Sequence, residues 1–459
     1  MPLAWCPLPN RMRIAITTLG CKINQYDSAV IRSRLAEKHS FVPFDEPADC
    51  YIINTCTVTD RADWEARQLV RRAKRLSPTS KVLMTGCYAQ VSPAEMARVQ
   101  GVDFVVGLNR LDDLLRLVET PDCDSPRISV GDVKRERGVA VLGTRALPEH
   151  TRAFLKIQEG CNYTCTYCII PTARGLSRSV APPQVLDQVR LLADAGYAEV
   201  VLTGIHLGGY GRDLTPKMDL TGLVEMLVDS RLLRRIRLSS LDPREVPERL
   251  LDLIAGSEVI CPHLHICAQA GEDAILKQMR RNYDTLYYRD LLVKTRERLP
   301  EAALGSDIIV GFPGESDQQF ESSLAYFASL PLTYFHVFPY SERRNTAAAS
   351  LPGSVLGPVK KVRAQRMRQL GAGKKEQFCQ RFRGRRMSVL IEEKIDRNSG
   401  GRRGFTRNYL PVIVSGGNHR VNEEVDVQID GFAAGCLTGA VVEQRISHGE
   451  RENRSEAGA

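Results

Sequence analysis

The sequence predicts an α/β protein in three parts: an N-terminal doubly wound parallel sheet, a central incomplete (β/α)6 barrel and a small C-terminal OB-like β-barrel. Strands alternate with helices through the first part, as they do in parallel sheets. Six more strands alternate with helices through the second part, which is the pattern of a β/α barrel. In the last part apolar and polar residues alternate between glycine-rich turns, which indicates a small barrel.

Composition narrows the class of protein. The chain has 459 residues, of which 43% are hydrophobic and 25% charged, with a net charge of +9. This length predicts two to four domains, and the proportions of hydrophobic and charged residues are those of a globular protein. No run of 18 apolar residues and no signal-peptide pattern occurs, so we expect a cytoplasmic protein without a membrane segment. In that compartment its 13 cysteines are expected to be metal ligands or buried thiols rather than disulfides.

The expected domain boundaries lie where composition and periodicity change. Proline and glycine without periodicity predict a connection in the middle of the chain, and the polar end predicts a disordered tail. In chain order we expect an N-terminal domain at 12–120, a linker at 121–150, a central domain at 151–371, a C-terminal domain at 372–445 and a tail at 446–459. Residues 1–11 resemble a poorly ordered leader, with Met12 as an alternative start.

Three cysteines, Cys21, Cys56 and Cys87, each come directly after a predicted strand of the first domain. The strands are predicted at residues 13–18, 50–54 and 81–85. Parallel strands end at one edge of a sheet, so the three thiols are expected to meet there. Spacing alone leaves two alternatives open, metal ligands or buried structural thiols.

A tighter motif, C-x3-C-x2-C, follows the first predicted strand of the central barrel. It consists of Cys161, Cys165 and Cys168. Three thiolates this close can hold three irons of a four-iron cluster and leave the fourth iron without a protein ligand, whereas a ferredoxin run supplies a fourth cysteine. A three-cysteine zinc site is the alternative, but such a site requires a further His or Cys ligand within a short span, and none follows.

With Tyr167 before its last cysteine, this motif resembles the radical S-adenosylmethionine (SAM) superfamily. The resemblance implies that the open iron binds SAM and that SAM is cleaved to a 5′-deoxyadenosyl radical. Residues 171–175 and 177–179 resemble the P-x-x-R-G…S-R segment of the methylthiotransferases, which insert sulfur and methylate it. The motifs around the three N-terminal cysteines resemble the first domain of that family. This implies that Cys21, Cys56 and Cys87 hold an auxiliary four-iron cluster.

The family motifs also contain Asn24 and Asp27, whose expected role is to shape the loop. The other seven cysteines match no ligand position and are expected to be structural: Cys6, Cys50, Cys123, Cys261, Cys267, Cys379 and Cys436.

Glycine-rich strand ends of the barrel resemble the family's SAM-binding segments, because glycine lets a ligand approach the backbone. The residues implied as SAM contacts are Tyr167, Gly204, Gly208, Gly209, Ser239 and Asp307. No catalytic residue is assigned beyond the cluster ligands. Asp307 remains equally open as a helix cap or a satisfied core carboxylate. His263 and His265 alternate on one strand, which favours core histidines over catalytic ones.

Two departures from the family pattern stand out. Residues 267–271 are Cys-Ala-Gln-Ala-Gly where the family has Pro-Leu-Gln-Ser-Gly, so any contact through the serine hydroxyl is missing. Asn345 stands at a position where glycine is usual.

The C-terminal part carries signals for RNA. Residues 405–412 resemble the TRAM module, an OB-like RNA-binding barrel, and Phe405 and Tyr409 are expected either to stack bases or to belong to the core. Between Lys360 and Arg386 there are 11 Lys or Arg against one acid. That stretch predicts a nucleic-acid track, with a solvated helix face as the alternative.

Within the family, the motifs resemble the branch that acts on threonylcarbamoyladenosine in tRNA: Lys22, Asn54–Thr59 and His336–Ser341. This implies methylthiolation of C2 of that nucleoside at position 37, with two SAM and two 4Fe-4S clusters. The implied partners are the tRNA anticodon loop and a flavodoxin or ferredoxin, with the enzyme a monomer. The alternatives are isopentenyladenosine in tRNA, a ribosomal-protein aspartate, and a non-enzymatic iron–sulfur protein for RNA binding or electron transfer.

Overall fold

A computed structural model describes residues 11–58, 60–119, 127–141, 151–416 and 420–442. The chain divides into two compact units, Met1–Lys374 and Lys375–Ala459. Within the described ranges, no helix is long and apolar enough to cross a lipid bilayer. Residues 1–10 of the expected leader, the expected tail, and Cys6 and Cys123 lie outside the described residues.

The N-terminal sheet has six parallel strands in the order β2-β1-β3-β4-β5-β6. The strands are β1 (Arg13–Thr18), β2 (Ser40–Val42), β3 (Cys50–Thr55), β4 (Lys81–Gly86), β5 (Phe104–Val106) and β6 (Ile128–Ser129). The helices are α1 (Lys22–Leu35), α2 (Asp60–Leu76), α3 (Cys87–Val91), α4 (Pro93–Ala97) and α5 (Leu111–Glu119). Side chains of α1 and α5 share one apolar core with the sheet, and those of α2, α3 and α4 share a second one. The predicted doubly wound sheet is confirmed.

The strand β6 falls inside the stretch 121–150, which the sequence predicts to be a linker. Its residues pair in parallel with β5, Ile128 opposite Val105 and Ser129 opposite Val106. The expectation that this stretch contains no strand is therefore wrong at these residues. A strand of two residues is too short to show alternation in the sequence, and only its pairing defines it.

The central barrel follows in the same compact unit. Its strands are β7 (Arg152–Glu159), β8 (Arg178–Ser179), β9 (Glu199–Gly204), β10 (Arg235–Leu238), β11 (Ser240–Leu241), β12 (His263–Ile266), β13 (Ala303–Val310) and β14 (Tyr334–Pro339). The helices are α6 (Ile170–Arg174), α7 (Pro182–Asp194), α8 (Leu220–Asp229), α9 (Glu248–Gly256), α10 (Asp273–Gln278), α11 (Thr285–Arg298) and α12 (Asp317–Ser329).

Two four-stranded sheets, β10-β9-β7-β8 and β11-β12-β13-β14, make up this barrel. A parallel bridge between Ile236 and Ile260 continues the series from one sheet to the other. Six of the strands run parallel and follow one another in chain order: β7, β9, β10, β12, β13 and β14. The combined series has β8 as its edge strand on one side and β14 on the other. The predicted incomplete six-stranded barrel is confirmed.

The basic stretch begins on a long helix, α13 (Gly357–Gln380). Arg363 is buried, and its guanidinium pairs with Glu315 at 2.7 Å and Asp317 at 2.6 Å. The Lys374 ammonium donates to two main-chain carbonyls of the central barrel region at 2.7 Å each. Arg363 and Lys374 therefore anchor the helix, whereas Lys361, Arg366 and Arg368 of the same half are exposed, so the expected nucleic-acid track stays a prediction. The sequence could not show that Arg363 and Lys374 have these partners, because the acids and carbonyls come from other elements.

Five strands close the C-terminal barrel in the order β15-β16-β17-β19-β18. They are β15 (Arg386–Ile395), β16 (Arg402–Thr406), β17 (Pro411–Ser415), β18 (Glu424–Ala433) and β19 (Cys436–Val441). The predicted small barrel is confirmed. Phe405 and Tyr409 are half-buried and stack on one another, with ring centroids 5.0 Å apart. Arg381 and Arg385, just before β15, are exposed.

Candidate functional site

The three N-terminal cysteines, here called the sheet trio, lie beyond the carboxyl ends of β1, β3 and β4. Cys21 caps α1, Cys56 follows β3 and Cys87 begins α3. The chain order of the sheet reverses between β1 and β3, which is where ligands of doubly wound sheets bind. The Sγ atoms of Cys21 and Cys87 each lie 3.8 Å from Oδ1 of Asn24. A Cβ placed on Gly20 would lie 3.0 Å from Sγ of Cys56, so all three thiols surround one small space.

Two glycines make this convergence sterically feasible. Gly20 has φ +103°, and a Cβ there would lie 2.7 Å from Cβ of Cys56. Gly86 has φ +93°, and a Cβ there would lie 2.3 Å from the carbonyl oxygen of Thr55. Both backbones are in the left-handed region that favours glycine. Any larger residue would push the cysteine-bearing turns apart.

Asn24 holds the loops of the sheet trio together, as its expected loop-shaping role requires. Its side-chain amide donates to the carbonyls of Leu19 and Thr55 at 2.9 Å each. Its oxygen accepts a 2.6 Å hydrogen bond from Nη2 of Arg174, whose Nε also donates to Sγ of Cys87 at 3.3 Å. Arg174 therefore reaches the sheet trio from the central barrel.

Arg174 belongs to a buried group of four charges. Its side chain is 1% exposed and pairs with Asp27 at 2.9 Å and Glu159 at 3.0 Å. Lys156 pairs with the same two carboxylates at 2.6 and 2.7 Å. Burial by itself would raise the pKa of Glu159, but Arg174 and Lys156 lower it to about 2. Two cations thus balance two anions inside the protein.

Sequence reasoning gave Arg174 no role. It is the arginine of the P-x-x-R-G motif, so the motif contained the signal, but nothing local shows which residues the guanidinium reaches. It ends α6, which begins two residues after Cys168. The helix that follows one group of cysteines therefore contacts the other group.

The second group, here called the barrel trio, is Cys161, Cys165 and Cys168 in the loop after β7. Cys165 Sγ accepts a 3.0 Å hydrogen bond from Nη1 of Arg281, and Cys161 Sγ accepts one of 3.4 Å from the backbone N–H of Tyr163. Burial raises the pKa of Cys168 to about 12. A metal cation that binds this sulfur would favour the thiolate, which is the form that coordinates metals.

Both trios fit an iron–sulfur cluster by the chemistry of their donors. All six cysteines are free thiols. Each group offers three sulfur ligands, the soft donors that iron–sulfur clusters take, and each has a cation (Arg174 or Arg281) that donates to a sulfur. Hydrogen bonds to cluster sulfurs are one of the ways in which a protein tunes such a site.

The predicted SAM-binding glycines lie at the last position of β9 (Gly204) and just after the strand (Gly208 and Gly209), but side chains fill the space beside them. A Cβ on Gly208 would lie 2.4 Å from Cβ of Glu245, one on Gly209 2.9 Å from Nδ1 of His206, and one on Gly204 within 3.0 Å of the Gln158 side chain. The glycines therefore make room for these neighbours. The sequence argument, in which glycine admits a ligand, did not foresee that use.

His206 and Glu245 form a polar group next to the barrel trio that sequence reasoning missed. Nε2 of His206 lies 2.8 Å from Oε1 of Glu245, which also accepts from Arg212 at 2.8 Å. Burial alone would lower the pKa of His206, but hydrogen bonding with Cys161 and Glu245 raises it to about 9. The ring of Tyr163 packs on His206 with centroids 4.3 Å apart.

The remaining predicted SAM contacts differ in what they offer. Ser239 follows β10, and its Oγ is buried without a hydrogen-bond partner among the described residues, so it can take up a ligand atom. Tyr167 is half-buried against the barrel core. Asp307 lies on β13, with Oδ1 3.0 Å from Nε2 of His265 and 3.2 Å from Nδ1 of His336. Asp307 is a satisfied carboxylate, and it is not a helix cap.

The two departures from the family pattern have different consequences. Asn345 adopts φ +67°, a left-handed backbone that asparagine tolerates better than most residues, so it substitutes for glycine at small cost. In the other departure, Ala270 is buried, and Sγ of Cys267 lies 3.5 Å from Oδ2 of Asp307.

His263 and His265 are buried, as expected. Of the cysteines expected to be structural, Cys50, Cys261, Cys379 and Cys436 are buried.

Comparisons with known proteins agree with this architecture. Two family models match, one described as Uncharacterized protein family UPF0004 over residues 13–107 and one as Radical SAM superfamily over residues 155–327. A solved structure, the radical S-adenosylmethionine methyltransferase TsrM from Kitasatospora setae with cobalamin and [4Fe-4S] cluster bound, aligns with a TM-score of 0.56 at 15% identity. The alignment covers 74% of this chain and 77% of that one, and it supports the fold alone.

Relatives similar over nearly the whole length identify the family. Threonylcarbamoyladenosine tRNA methylthiotransferase MtaB of Bacillus subtilis is 38% identical, covering 91% of this chain and 93% of the relative. The protein of the same name from Aquifex aeolicus is also 38% identical, covering 87% and 96%. The tRNA-2-methylthio-N(6)-dimethylallyladenosine synthase of Moorella thermoacetica is 32% identical, covering 94% and 99%. The chain belongs to the radical SAM tRNA methylthiotransferase family, among the relatives of the threonylcarbamoyladenosine enzymes.

Proposed function

We propose that this enzyme adds a methylthio group to C2 of N6-threonylcarbamoyladenosine at position 37 of tRNA, using two SAM molecules and two 4Fe-4S clusters. The observation that carries the proposal is the pair of cysteine trios in one compact unit, connected through Arg174. A single trio would suffice for radical chemistry, but sulfur insertion needs a second place where sulfur is held.

The two trios are proposed to hold clusters with different functions. The barrel trio holds the cluster that binds SAM, and the sheet trio holds the auxiliary cluster. When bound, the two clusters supply a SAM-derived radical able to activate an unreactive aromatic C–H and a sulfur atom to transfer to it. Tyr167, Gly204, Gly208, Gly209 and Ser239 are proposed to line the SAM pocket, with the buried Ser239 Oγ as a hydrogen-bonding group.

Arg174 is proposed to be a positioning residue. Its guanidinium donates to Sγ of Cys87 and to Asn24, and its charge is balanced within the buried group that includes Glu159. Because α6 follows the barrel trio directly, a fixed Arg174 keeps the loops of the two trios in register. A fixed spacing matters, since both sites must reach the same substrate atom.

The tRNA is proposed to contact α2. Trp64 is 55% exposed, and Arg71 and Arg75 are exposed seven and eleven positions further along the helix, on the same face. An exposed indole stacks on an unpaired base, and arginines bind phosphates. The exposed Arg381 and Arg385 of the C-terminal unit are a second proposed contact with RNA.

We further propose that the enzyme is a cytoplasmic monomer and takes electrons from a flavodoxin or a ferredoxin.

Mass spectrometry of tRNA nucleosides tests the substrate. In cells that lack the gene, we expect loss of the 2-methylthio derivative of threonylcarbamoyladenosine only, and its return with a plasmid copy. Loss of the 2-methylthio derivative of isopentenyladenosine would contradict the proposed substrate. Unchanged levels of both nucleosides would contradict a role in tRNA.

Iron and SAM cleavage test the two sites. The reconstituted protein is expected to hold about eight irons per chain, and alanine at all three positions of either trio should halve that number. Only the barrel-trio variant should lose reductive SAM cleavage. The buried Cys50→Ala is the matched control, because its thiol lies in the sheet core away from both trios. A sheet-trio variant with an unchanged iron count would refute the auxiliary site.

Charge reversal tests the α2 surface. Arg71→Glu with Arg75→Glu should weaken tRNA binding and make its dependence on salt less steep, because fewer counterions are released. Arg289→Glu with Lys294→Glu on α11 changes the charge of the same unit equally and should have little effect. Equal loss of affinity in both double variants would mean that only net charge matters, which would count against an α2 contact.

A further inference from the structure

A further group of side chains able to bind a metal ion lies in the central barrel and shares no residue with the cysteine trios. His265 is on β12, Cys267 follows its end, and Asp307 is on the neighbouring β13. One donor atom from each, an imidazole nitrogen, a thiol sulfur and a carboxylate oxygen, all lie within 4.8 Å of one another. No resemblance accounts for the thiol, since Cys267 stands where the family pattern has proline.

Two of the distances in this group are close to those around a single ion. Nε2 of His265 lies 3.0 Å from one Asp307 oxygen, and Sγ of Cys267 lies 3.5 Å from the other. Zinc bonds of about 2.0–2.3 Å in a tetrahedron place the ligand atoms about 3.3–3.8 Å apart. Small side-chain rotations therefore suffice to place all three donors at bonding distance from one ion.

Neighbouring residues already orient the ligands. Nδ1 of His265 lies 3.2 Å from Oη of Tyr334, which leaves Nε2 as the nitrogen that faces Asp307. Nδ1 of His336 lies 3.2 Å from Oδ1 of Asp307. Metal-binding histidines commonly use their second nitrogen in this way, and metal-binding carboxylates are commonly hydrogen-bonded. The group thus has an outer shell of the kind that metal sites have.

We propose that His265, Cys267 and Asp307 bind one zinc ion. Nitrogen, thiolate and carboxylate are the ligands that zinc takes in proteins, and such a mixed set holds zinc more tightly than ferrous iron. Three protein ligands leave one tetrahedral position for water or a ligand oxygen. Asp307 then belongs to this site rather than to the SAM pocket.

This zinc site would be linked to the barrel trio. Oη of Tyr283 donates to the carbonyl oxygen of Cys267 at 3.0 Å and accepts from Nε of Arg281 at 3.1 Å. Arg281 in turn donates to Sγ of Cys165. A change in the position of Cys267 would therefore reach the loop of the barrel trio through two side chains.

Metal analysis tests the proposal on the full-length protein, purified without oxygen from cells grown with zinc and then reconstituted with iron and sulfide. We expect one zinc per chain beside the cluster iron. Cys267→Ala and His265→Gln should each weaken zinc binding by more than about 100-fold, the upper end of the cost of losing an outer partner. The matched control is Cys261→Ala, a buried cysteine of the same barrel outside the group, which should keep its zinc.

X-ray absorption at the zinc edge distinguishes this site from zinc bound in a trio. We expect one sulfur at about 2.3 Å and nitrogen or oxygen neighbours at about 2.0–2.1 Å. Zinc with three or four sulfur neighbours would overturn the proposal, as would wild-type protein without zinc or a Cys267→Ala variant that keeps it. The cluster iron content of each variant shows whether it is folded, and Cys267→Ala is the smaller change should His265→Gln not fold.

Discussion

Replacing Arg174 by methionine is the most informative single change that the structure suggests. The guanidinium is 1% exposed, and it pairs with Asp27 and Glu159 while donating to Asn24 and Cys87. Methionine keeps most of the volume and removes the charge. The variant therefore tests electrostatics and positioning without opening a large cavity.

The expected cost follows from the charge balance. Wild-type protein has two cations and two carboxylates in this buried group, and without Arg174 the two carboxylates share only Lys156. Breaking a buried pair by removing one partner costs about 3–5 kcal/mol. We expect a loss of that size in the free energy of unfolding, measured by anaerobic urea denaturation with fluorescence detection. We also expect loss of iron from the sheet trio.

A double variant separates charge from positioning. Adding Glu159→Gln to Arg174→Met leaves one cation and one anion, Lys156 and Asp27, so most of the lost stability should return. The hydrogen bond to Cys87 stays absent, so methylthio transfer should remain low. The reasoning is refuted if Arg174→Met unfolds like the wild type, or if the double variant is no more stable than the single one.

Three further predictions concern other positions. Burial raises the pKa of Glu199, but Arg237 and Arg235 outweigh burial and lower the pKa to about 2. Ionised Glu199 therefore stabilises the protein by about 3 kcal/mol above about pH 4.5, and this stabilisation is lost as the pH falls toward 2. The difference in urea midpoint between wild type and Glu199→Gln should narrow over that range. Gly20→Ala should lower auxiliary iron, because its Cβ meets Cys56; full iron content would contradict this. Gly208→Ala should displace the Glu245 side chain and slow SAM cleavage in a single-turnover assay, whereas an unchanged rate would show that this packing is dispensable.

The sequence determined the placement of both cysteine trios. The barrel trio is local, because its members lie at most seven positions apart and a short loop after a strand brings them together. The sheet trio depends on only one long-range rule: parallel strands end at the same edge, so residues just beyond β1, β3 and β4 become neighbours. The class of each domain followed from periodicity for the same reason, since side-chain alternation is a property of short segments.

Only the tertiary structure decided which side chains complete the sites. Arg174 meets Asn24 across 150 positions of sequence, and His265 meets Asp307 across 42. Such pairs depend on how strands register and how a helix docks, and a difference of one residue in register would point a side chain to the other face. The same holds for Arg363, whose carboxylate partners come from another element, so that this one cation of the basic stretch anchors a helix.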